Sequence, residues 1–301
     1  MNRTGAAPPT SPAGCGDLRT EAIEATMPDA VVGAERDGRT TMRRRALRNR
    51  MKAIVLTYDR NHPLTEHMVR TYQDKWPDHP FVFRVPYQGD VTKLRKRLGR
   101  AIEPIQTPPN IKGTVLRLTQ DLADSEWAYW CIDDKYLVDI DVQAANETYH
   151  WISSITDPKV QGAMFCRTRR LLEPDNIRSV PPVDVSSHYR FLTRKNYYQC
   201  WIHQFMTVGV LRRLFESFPD DGFVAKEMDT FTGQVDGELV RDFGMDETMY
   251  VSEKNYARFG ESSHAGRITR NCRSSMQAYG VELPVGAEFD DRDIYMGEMD
   301  S

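Results

Sequence analysis

The segment WAYWCIDDKYLV, residues 127–138, decides the fold and the candidate site of this 301-residue chain. Its first six residues are apolar or aromatic, as in a strand that is buried on both faces, and the run stops at Asp133 and Asp134. In proteins that alternate strands and helices, ligands bind outside the carboxyl ends of the strands. The two aspartates are therefore candidate ligand-binding residues. The alternative is that they begin a turn and cap the next element.

The composition describes a chain that can bury a substantial core, since 40% of its residues are hydrophobic. A formal net charge of -3 gives no support to a nucleic-acid partner. No apolar run approaches the roughly 18 residues that span a bilayer, and the first residues lack the apolar core of a secretory signal, so we expect a cytoplasmic protein. The 5 cysteines are scattered without a Cys-x-x-Cys pair, which argues against a disulfide framework and a structural zinc site.

Residues 1–50 differ from the rest of the chain. They are rich in Ala, Pro, Gly, Thr and Arg and show no sustained periodicity, which predicts a disordered N-terminal tail before a single domain, residues 51–301. The basic run MRRRALRNR, residues 42–50, is most simply a solvated linker. Peripheral contact between this run and the inner face of a membrane stays open as an alternative.

Beyond residue 50, strand-like and helix-like patterns alternate. The predicted strands are residues 53–57, 81–85, 127–132 and 162–166, and the predicted helices are residues 65–76, 91–102, 114–123 and 142–155. This alternation predicts an α/β fold with a mostly parallel, twisted sheet flanked by helices. A further strand at residues 197–206 and a helix at residues 209–218 follow. Residues 255–273, which mix glycine, serine, histidine and arginine, predict a mobile loop over a site.

A second group of candidates follows the first predicted strand. Thr57, Tyr58, Asp59 and Arg60 stand where a loop could hold a base and a ribose. No Gly-x-Gly-x-x-Gly occurs there, which argues against a dinucleotide fold of the usual kind. Tyr58 could stack on a base, or it could be an ordinary aromatic residue at the rim of the core.

Further candidates lie in the second half of the chain, and each has an ordinary alternative. His203 and Gln204 stand in an apolar run, where a histidine is more often a core residue than a ligand. Glu227 and Asp229 are candidate general bases or plain surface acids. His264 and Arg267 are candidate phosphate-binding residues or members of a solvated loop.

Taken in order, residues 52 to about 284 resemble glycosyltransferases of the GT-A type, which have a Rossmann-like sheet. TYDR, residues 57–60, is similar to the nucleotide-binding strand end of that family, and WCIDDK, residues 130–135, to its metal and diphosphate motif. IHQFMTVGVL, residues 202–211, and KEMD, residues 226–229, are similar to its acceptor side. The resemblance implies a donor half, residues 51–141, and an acceptor half, residues 142–301.

The resemblance also implies an activity. Such an enzyme moves a sugar from a nucleotide-diphosphate sugar to a hydroxyl of a glycan, a lipid-linked or a small-molecule acceptor, in bacterial polysaccharide or glycoconjugate synthesis. It implies that Asp133 and Asp134 position a cation and the donor, and that Glu227 or Asp229 activates the acceptor hydroxyl. Activation by such a base corresponds to inversion at the anomeric carbon. His203 and Gln204 fall on the strand of the acceptor side, and the resemblance implies that they contact the nucleotide-sugar donor.

One residue departs from the family pattern. Lys135 occupies a position that is usually a metal-binding aspartate. Either Asp133 and Asp134 still hold a divalent cation, manganese or magnesium, or Lys135 and Arg267 supply positive charge to the leaving diphosphate. The two adjacent acids favour the metal.

Two other functions remain compatible with the sequence. A nucleotidyltransferase or metal-dependent phosphotransferase would also use paired acids and a nucleotide loop. A glycine-rich triphosphate loop would favour it, but residues 58–64 contain no glycine. A sugar-nucleotide-binding protein without turnover is the third hypothesis, and Lys135 is the residue that keeps it open.

Overall fold

The structure is a computed structural model, and it describes residues 50–164, 183–184, 190–193, 201–219, 227 and 249–296. The first strands are β1 (Met51–Leu56), β2 (Phe81–Tyr87), β3 (Ile102–Gln106), β4 (Trp127–Ile132), β5 (Lys135–Ile140), β6 (Gly162–Met164), β7 (Val183–Asp184) and β8 (Arg190–Thr193). The later strands are β9 (Gln204–Thr207), β10 (Met249–Ser252), β11 (Ala257–Glu261), β12 (Ser263–His264), β13 (Arg267–Thr269), β14 (Phe289–Asp290) and β15 (Tyr295–Met296).

The helices of the described residues lie between these strands. They are α1 (His62–Lys75), α2 (Thr92–Leu98), α3 (Ile111–Thr119), α4 (Val142–Ser154), α5 (Val208–Glu216) and α6 (Arg270–Ala278). Short 3-10 turns, Asp59–Asn61 and Gly99–Ala101, precede α1 and β3. None of the helices in these ranges has the length and apolar character that a membrane span requires. Most of the predicted tail, residues 1–49, lies outside the described residues.

A nine-stranded sheet, in the order β3-β2-β1-β4-β9-β6-β10-β8-β7, forms the centre of the described fold. The first four strands of this order pair in parallel, and β6 pairs in parallel with β10. The remaining pairings are antiparallel, so that β8 and β9 run against the other strands. The mostly parallel α/β sheet that the sequence predicted is confirmed.

Strand β4 is buried on both faces of this sheet. Tyr129 and Cys131 pack in a core with α1, α2 and α4, whereas Ala128, Trp130 and Ile132 pack in a second core with α3 and α5. Because successive side chains of a strand point to opposite faces, a strand between two helical layers must be apolar at nearly every position. This is the physical reason for the uninterrupted apolar run before Asp133.

The prediction of a mobile loop at residues 255–273 is wrong. These residues form β11, the hairpin β12–β13 and the first turn of α6. Strand β11 pairs antiparallel with β5, with Phe259 opposite Leu137, and both side chains are buried. The segment folds because Ala257 and Phe259 alternate with more polar residues and pack against a strand about 120 positions earlier, a contact that its glycines and charges conceal.

Candidate functional site

The candidate site is a cavity at the carboxyl ends of β1 and β4. From β1 the chain continues to β2 and β3 on one side, whereas β4 pairs with β1 on the other side. Ligands of open α/β sheets bind at such a switch point. The cavity has a volume of about 830 Å3. Its lining residues are Leu56, Thr57, Tyr58, Asp59, Arg60, Asn61, Gln88, Pro109, Asn110, Ile111, Thr114, Ile132, Asp133, Asp134, Trp201 and Ser263.

Asp133 lies at the floor of this cavity and is held by the end of β1. The Thr57 hydroxyl donates to Asp133 Oδ2 at 2.6 Å, and Thr65 Oγ1 donates to Thr57 Oγ1 at 2.9 Å. The Asp133 amide donates to the carbonyl of Leu56 at 3.3 Å. Burial, together with the neighbouring Asp134 carboxylate, raises the pKa of Asp133 to about 7. An ionised Asp133 is therefore costly unless positive charge or a donor comes close.

Asp134 lines the cavity and forms an ion pair with Lys135, which does not line it. Lys135 Nζ lies 3.3 Å from Asp134 Oδ2 and donates to Glu261 Oε1 at 2.9 Å. Lys135 and Glu261 face each other across the β5–β11 pairing. Asp134 Oδ1 is buried and has no hydrogen-bond partner among the described residues. Burial raises the pKa of the Asp134 carboxyl, and the Lys135 ammonium opposes this shift.

Lys135 itself does not line the cavity, although the sequence predicted that it contacts the donor. Its side chain is only 6% exposed and its ammonium contacts the carboxylates of Asp134 and Glu261. The cluster contains Asp133, Asp134 and Glu261 against one ammonium. Its formal charge is negative when all these groups are ionised.

The rim of the cavity carries the other predicted residues. Tyr58 is 40% exposed, and the Arg60 guanidinium carbon lies 4.6 Å from the centre of its ring. Asp59 accepts from the amides of Gln88 at 2.9 Å and Gly89 at 2.6 Å. Asp59 therefore fixes the turn after β1 to the turn after β2.

The structure places His203 and Gln204 in the core, away from the cavity. Both are fully buried. Nε2 of His203 lies 2.9 Å from the Ile132 carbonyl and Nδ1 lies 2.7 Å from the Tyr72 hydroxyl. Burial lowers the pKa of His203 to about 3, so the imidazole is neutral near pH 7. The expected direct contact of these side chains with a donor is not what the structure shows.

His264 and Arg267 also lie outside the cavity lining. His264 Nδ1 lies 2.7 Å from Arg292 Nη2 and 3.3 Å from Asp290 Oδ2. Arg267 is exposed and donates to Glu288 at 3.1 Å. Among the predicted bases, Glu227 is an exposed helical residue and Asp229 falls outside the described residues.

Several cavity residues were missed by the sequence interpretation. They are Asn61, Gln88, Asn110, Thr114, Trp201 and Ser263. One of them carried a usable signal, because an asparagine before an apolar helix is a typical N-cap. Asn110 Oδ1 accepts from the amide of Gly113 at 2.6 Å at the start of α3. Ser263 gave no such signal.

A second cavity, of about 730 Å3, lies on the other side of residues 58–61 and shares these residues and Ser263 with the first. Four of its charged side chains pair with each other. Arg97 donates to Glu66 at 3.2 Å and to Glu282 at 2.8 Å, and Lys93 also pairs with Glu282. The charged residues that line the first cavity are Asp59, Arg60, Asp133 and Asp134.

The acid pair fits a divalent cation that is shared with a ligand. Within the described ranges no group of three or more His, Cys, Asp or Glu residues could hold a metal ion. Magnesium, however, is commonly held by one or two carboxylates together with substrate phosphates. The Asp134 Oδ1 atom, which is buried and has no hydrogen-bond partner among the described residues, is the feature of the acid pair that fits such a cation.

No family model and no curated protein matches this sequence. Solved structures do match. The galactosyltransferase LgtC in complex with donor and acceptor sugar analogues is 12% identical, with a TM-score of 0.36 over 67% of this chain and 73% of that chain. The mannosyltransferase PcManGT from Pyrobaculum calidifontis, in complex with GDP-Man and Mn2+, is 15% identical, with a TM-score of 0.38 over 67% and 56%.

A nucleotidyltransferase stands beside these glycosyltransferases. The 2-C-methyl-D-erythritol 4-phosphate cytidylyltransferase of Francisella tularensis is 10% identical, with a TM-score of 0.38 over 77% of this chain and 98% of that chain. Glycosyltransferases are thus among the solved structures to which this fold is similar, as the sequence predicted. With TM-scores below 0.5, the likenesses carry no argument for one activity over another.

Proposed function

We propose that this chain is a glycosyltransferase that moves a sugar from a nucleotide-diphosphate sugar to a hydroxyl acceptor. One observation supports it above the others: Asp133 and Asp134 open into the cavity at the β1–β4 switch point, beside the turn that carries Tyr58 and Arg60. The volume of about 830 Å3 falls in the range of small-molecule sites.

The proposed donor site uses both ends of this cavity. Tyr58 and Arg60 would stack on and flank the nucleoside, while Asp59 keeps their turn in place. The start of α3, with Asn110 and Thr114, forms the wall between these residues and the sheet. Residues 51–141 would thus provide most of the donor half, as the resemblance implies.

The diphosphate would lie over the acid pair. Two carboxylates repel a diphosphate, and Arg60 is the only cationic side chain among the described residues of the lining. Asp133 and Asp134 would therefore hold a divalent cation, which supplies positive charge to the departing diphosphate. Lys135 would neutralise part of the cluster from behind.

The acceptor would approach from the side of Trp201 and Ser263, which complete the lining. The acceptor oxygen forms a bond to the anomeric carbon, the bond from that carbon to the diphosphate breaks, and the acceptor proton passes to a base. Glu227 or Asp229 remains the proposed base, which implies inversion. A glycan, a lipid-linked or a small-molecule acceptor in polysaccharide or glycoconjugate synthesis remains the proposed substrate class.

The test is a panel of nucleotide sugars incubated with the protein, with and without manganese, while nucleotide products are separated by chromatography. Release of UDP or GDP supports the proposal. Release of pyrophosphate contradicts it and favours a nucleotidyltransferase, and binding without turnover favours a sugar-nucleotide-binding protein. The matched variants are Asp134→Asn, which should lose turnover, and Asp139→Asn, an exposed acid on β5 that should keep it.

A further inference from the structure

The peptide unit between Ile132 and Asp133 is held at both of its polar atoms. Its amide donates to the Leu56 carbonyl at 3.3 Å, and its carbonyl lies 2.9 Å from Nε2 of His203. The β4–β9 pairing ends at Trp130 opposite Gln204, one residue after His203. The imidazole therefore provides the hydrogen-bond partner of the Ile132 carbonyl, which lies beyond the end of the β4–β9 pairing.

The geometry fixes the direction of every proton in this buried network. A carbonyl oxygen only accepts, so Nε2 of the neutral imidazole carries the hydrogen and Nδ1 accepts. Nδ1 lies 2.7 Å from the hydroxyl of Tyr72, which must then donate to it. The Tyr72 hydroxyl lies 2.9 Å from that of Tyr129, so Tyr129 donates to Tyr72. The chain of donors runs from Tyr129 through Tyr72 and His203 to Ile132.

We infer that His203 is a positioning residue that holds the acid-bearing end of β4 and the segment of Trp201 in one geometry. Trp201 lies two residues before His203 and lines the same cavity as Asp133. A side chain that ties this segment to the carbonyl before Asp133 sets the distance between the two walls of the site. His203 does this without touching the ligand.

The inference rests on the proposed function only for the choice of ligand. The test measures calorimetric affinities for UDP and GDP in the presence of manganese. His203→Leu and His203→Asn both remove the donor to Ile132, whereas His203→Gln places an amide near the position of Nε2. The control is Tyr129→Phe, which removes only the far end of the network.

We expect His203→Leu and His203→Asn to weaken nucleotide binding about tenfold, and His203→Gln to stay within about threefold of the wild type. Tyr129→Phe should lower the unfolding midpoint and leave the affinity unchanged. Wild-type affinity in folded His203→Leu or His203→Asn overturns the inference. So does equal weakening by Tyr129→Phe, because binding would then follow stability alone.

A ligand-free measurement keeps the two proposals apart. If the wild type binds neither nucleotide, the proposed function fails, and the positioning role is decided by urea unfolding of His203→Asn, Asp133→Asn and the double variant. The Asp133 side chain, which accepts from Thr57, extends from the peptide unit whose carbonyl contacts His203. If His203 positions this unit, its loss changes the surroundings of the Asp133 side chain, so the effects of the two variants on the free energy of unfolding should not add. Additive effects would remove the basis for a positioning role.

Discussion

Replacement of Asp133 by asparagine should stabilise the protein while it destroys the candidate site. Asp133 is 8% exposed, and the Asp134 carboxylate lies beside its carboxyl group. Burial and the neighbouring negative charge both disfavour the ionised form of Asp133. Asparagine has nearly the same shape, and its amide oxygen can still accept from Thr57. Asp133→Asn therefore removes the buried charge and keeps the contact.

The magnitude follows from the raised pKa. The carboxyl titrates at about 7 in the folded chain against an ordinary value of 3.8. Each unit of this difference corresponds to about 1.4 kcal/mol, so ionised Asp133 costs about 4 kcal/mol of folding stability. Because the folded pKa is raised, this cost is complete above pH 7 and disappears as the pH falls towards 4.

The assay is urea unfolding in EDTA between pH 8 and pH 4, with Asp139→Asn as the control. Asp133→Asn should be about 4 kcal/mol more stable than the wild type at pH 8, and its advantage should shrink by about 1.4 kcal/mol per pH unit below pH 7. Asp139 is exposed, so its variant should follow the wild type. An Asp133→Asn variant that is no more stable at pH 8, or whose advantage ignores pH, would refute the reasoning.

Three further predictions concern stability. Arg84, with its side chain 2% exposed, donates to the buried carbonyl of Leu118 at 2.7 Å and to the exposed Asp121, so Arg84→Met should lower the free energy of unfolding in urea by about 2 kcal/mol. Ala265 has a φ of 49° in the hairpin between β12 and β13, where glycine is less strained than alanine, so Ala265→Gly should raise the free energy of unfolding by about 1 kcal/mol. Lys135→Met leaves two carboxylates without their ammonium and should cost about 3 kcal/mol, of which Glu261→Gln in the same chain should restore a large part.

Each of these variants has a control. Lys52→Met removes a more exposed ion pair with Glu103 and should cost less than about 1 kcal/mol. Ala123→Gly changes an exposed alanine without a positive φ and should not stabilise. Equal losses for Arg84→Met and Lys52→Met, or a stabilising Ala123→Gly, would contradict the physical reasons given. If the double variant Lys135→Met, Glu261→Gln is no more stable than Lys135→Met alone, the reason given for Lys135 is contradicted.

The parallel half of the sheet could be predicted from sequence because its signals are local. The run before Asp133 is apolar at every position because β4 lies between two helical layers. Strand β3, with the sequence IEPIQ, was not predicted, because a proline and two polar residues hide its edge position, and the predicted helix 91–102 ended at its first residue. Strand β5 was missed because its partner, β11, lies about 120 residues later.

The two acids of the candidate site, Asp133 and Asp134, could be predicted from the sequence, but the residues that contact them could not. The end of an apolar strand marks Asp133 without help from distant residues. Nothing near Lys135 in the sequence indicates Glu261, its partner across β5 and β11, and a local pattern cannot show it. His203 was expected to contact the ligand because the sequence shows only a polar residue in an apolar run. The sequence does not show the Ile132 carbonyl to which His203 donates.

The central claim is that the acid pair binds a nucleotide diphosphate together with a cation. Calorimetric titration of UDP and GDP into the wild type, with manganese and with EDTA, tests it most directly. We predict that at least one nucleotide binds with manganese, that EDTA weakens its binding, and that Asp134→Asn abolishes it while Asp139→Asn does not. Undiminished binding to a folded Asp134→Asn variant, or no binding of either nucleotide to the wild type, would contradict the claim.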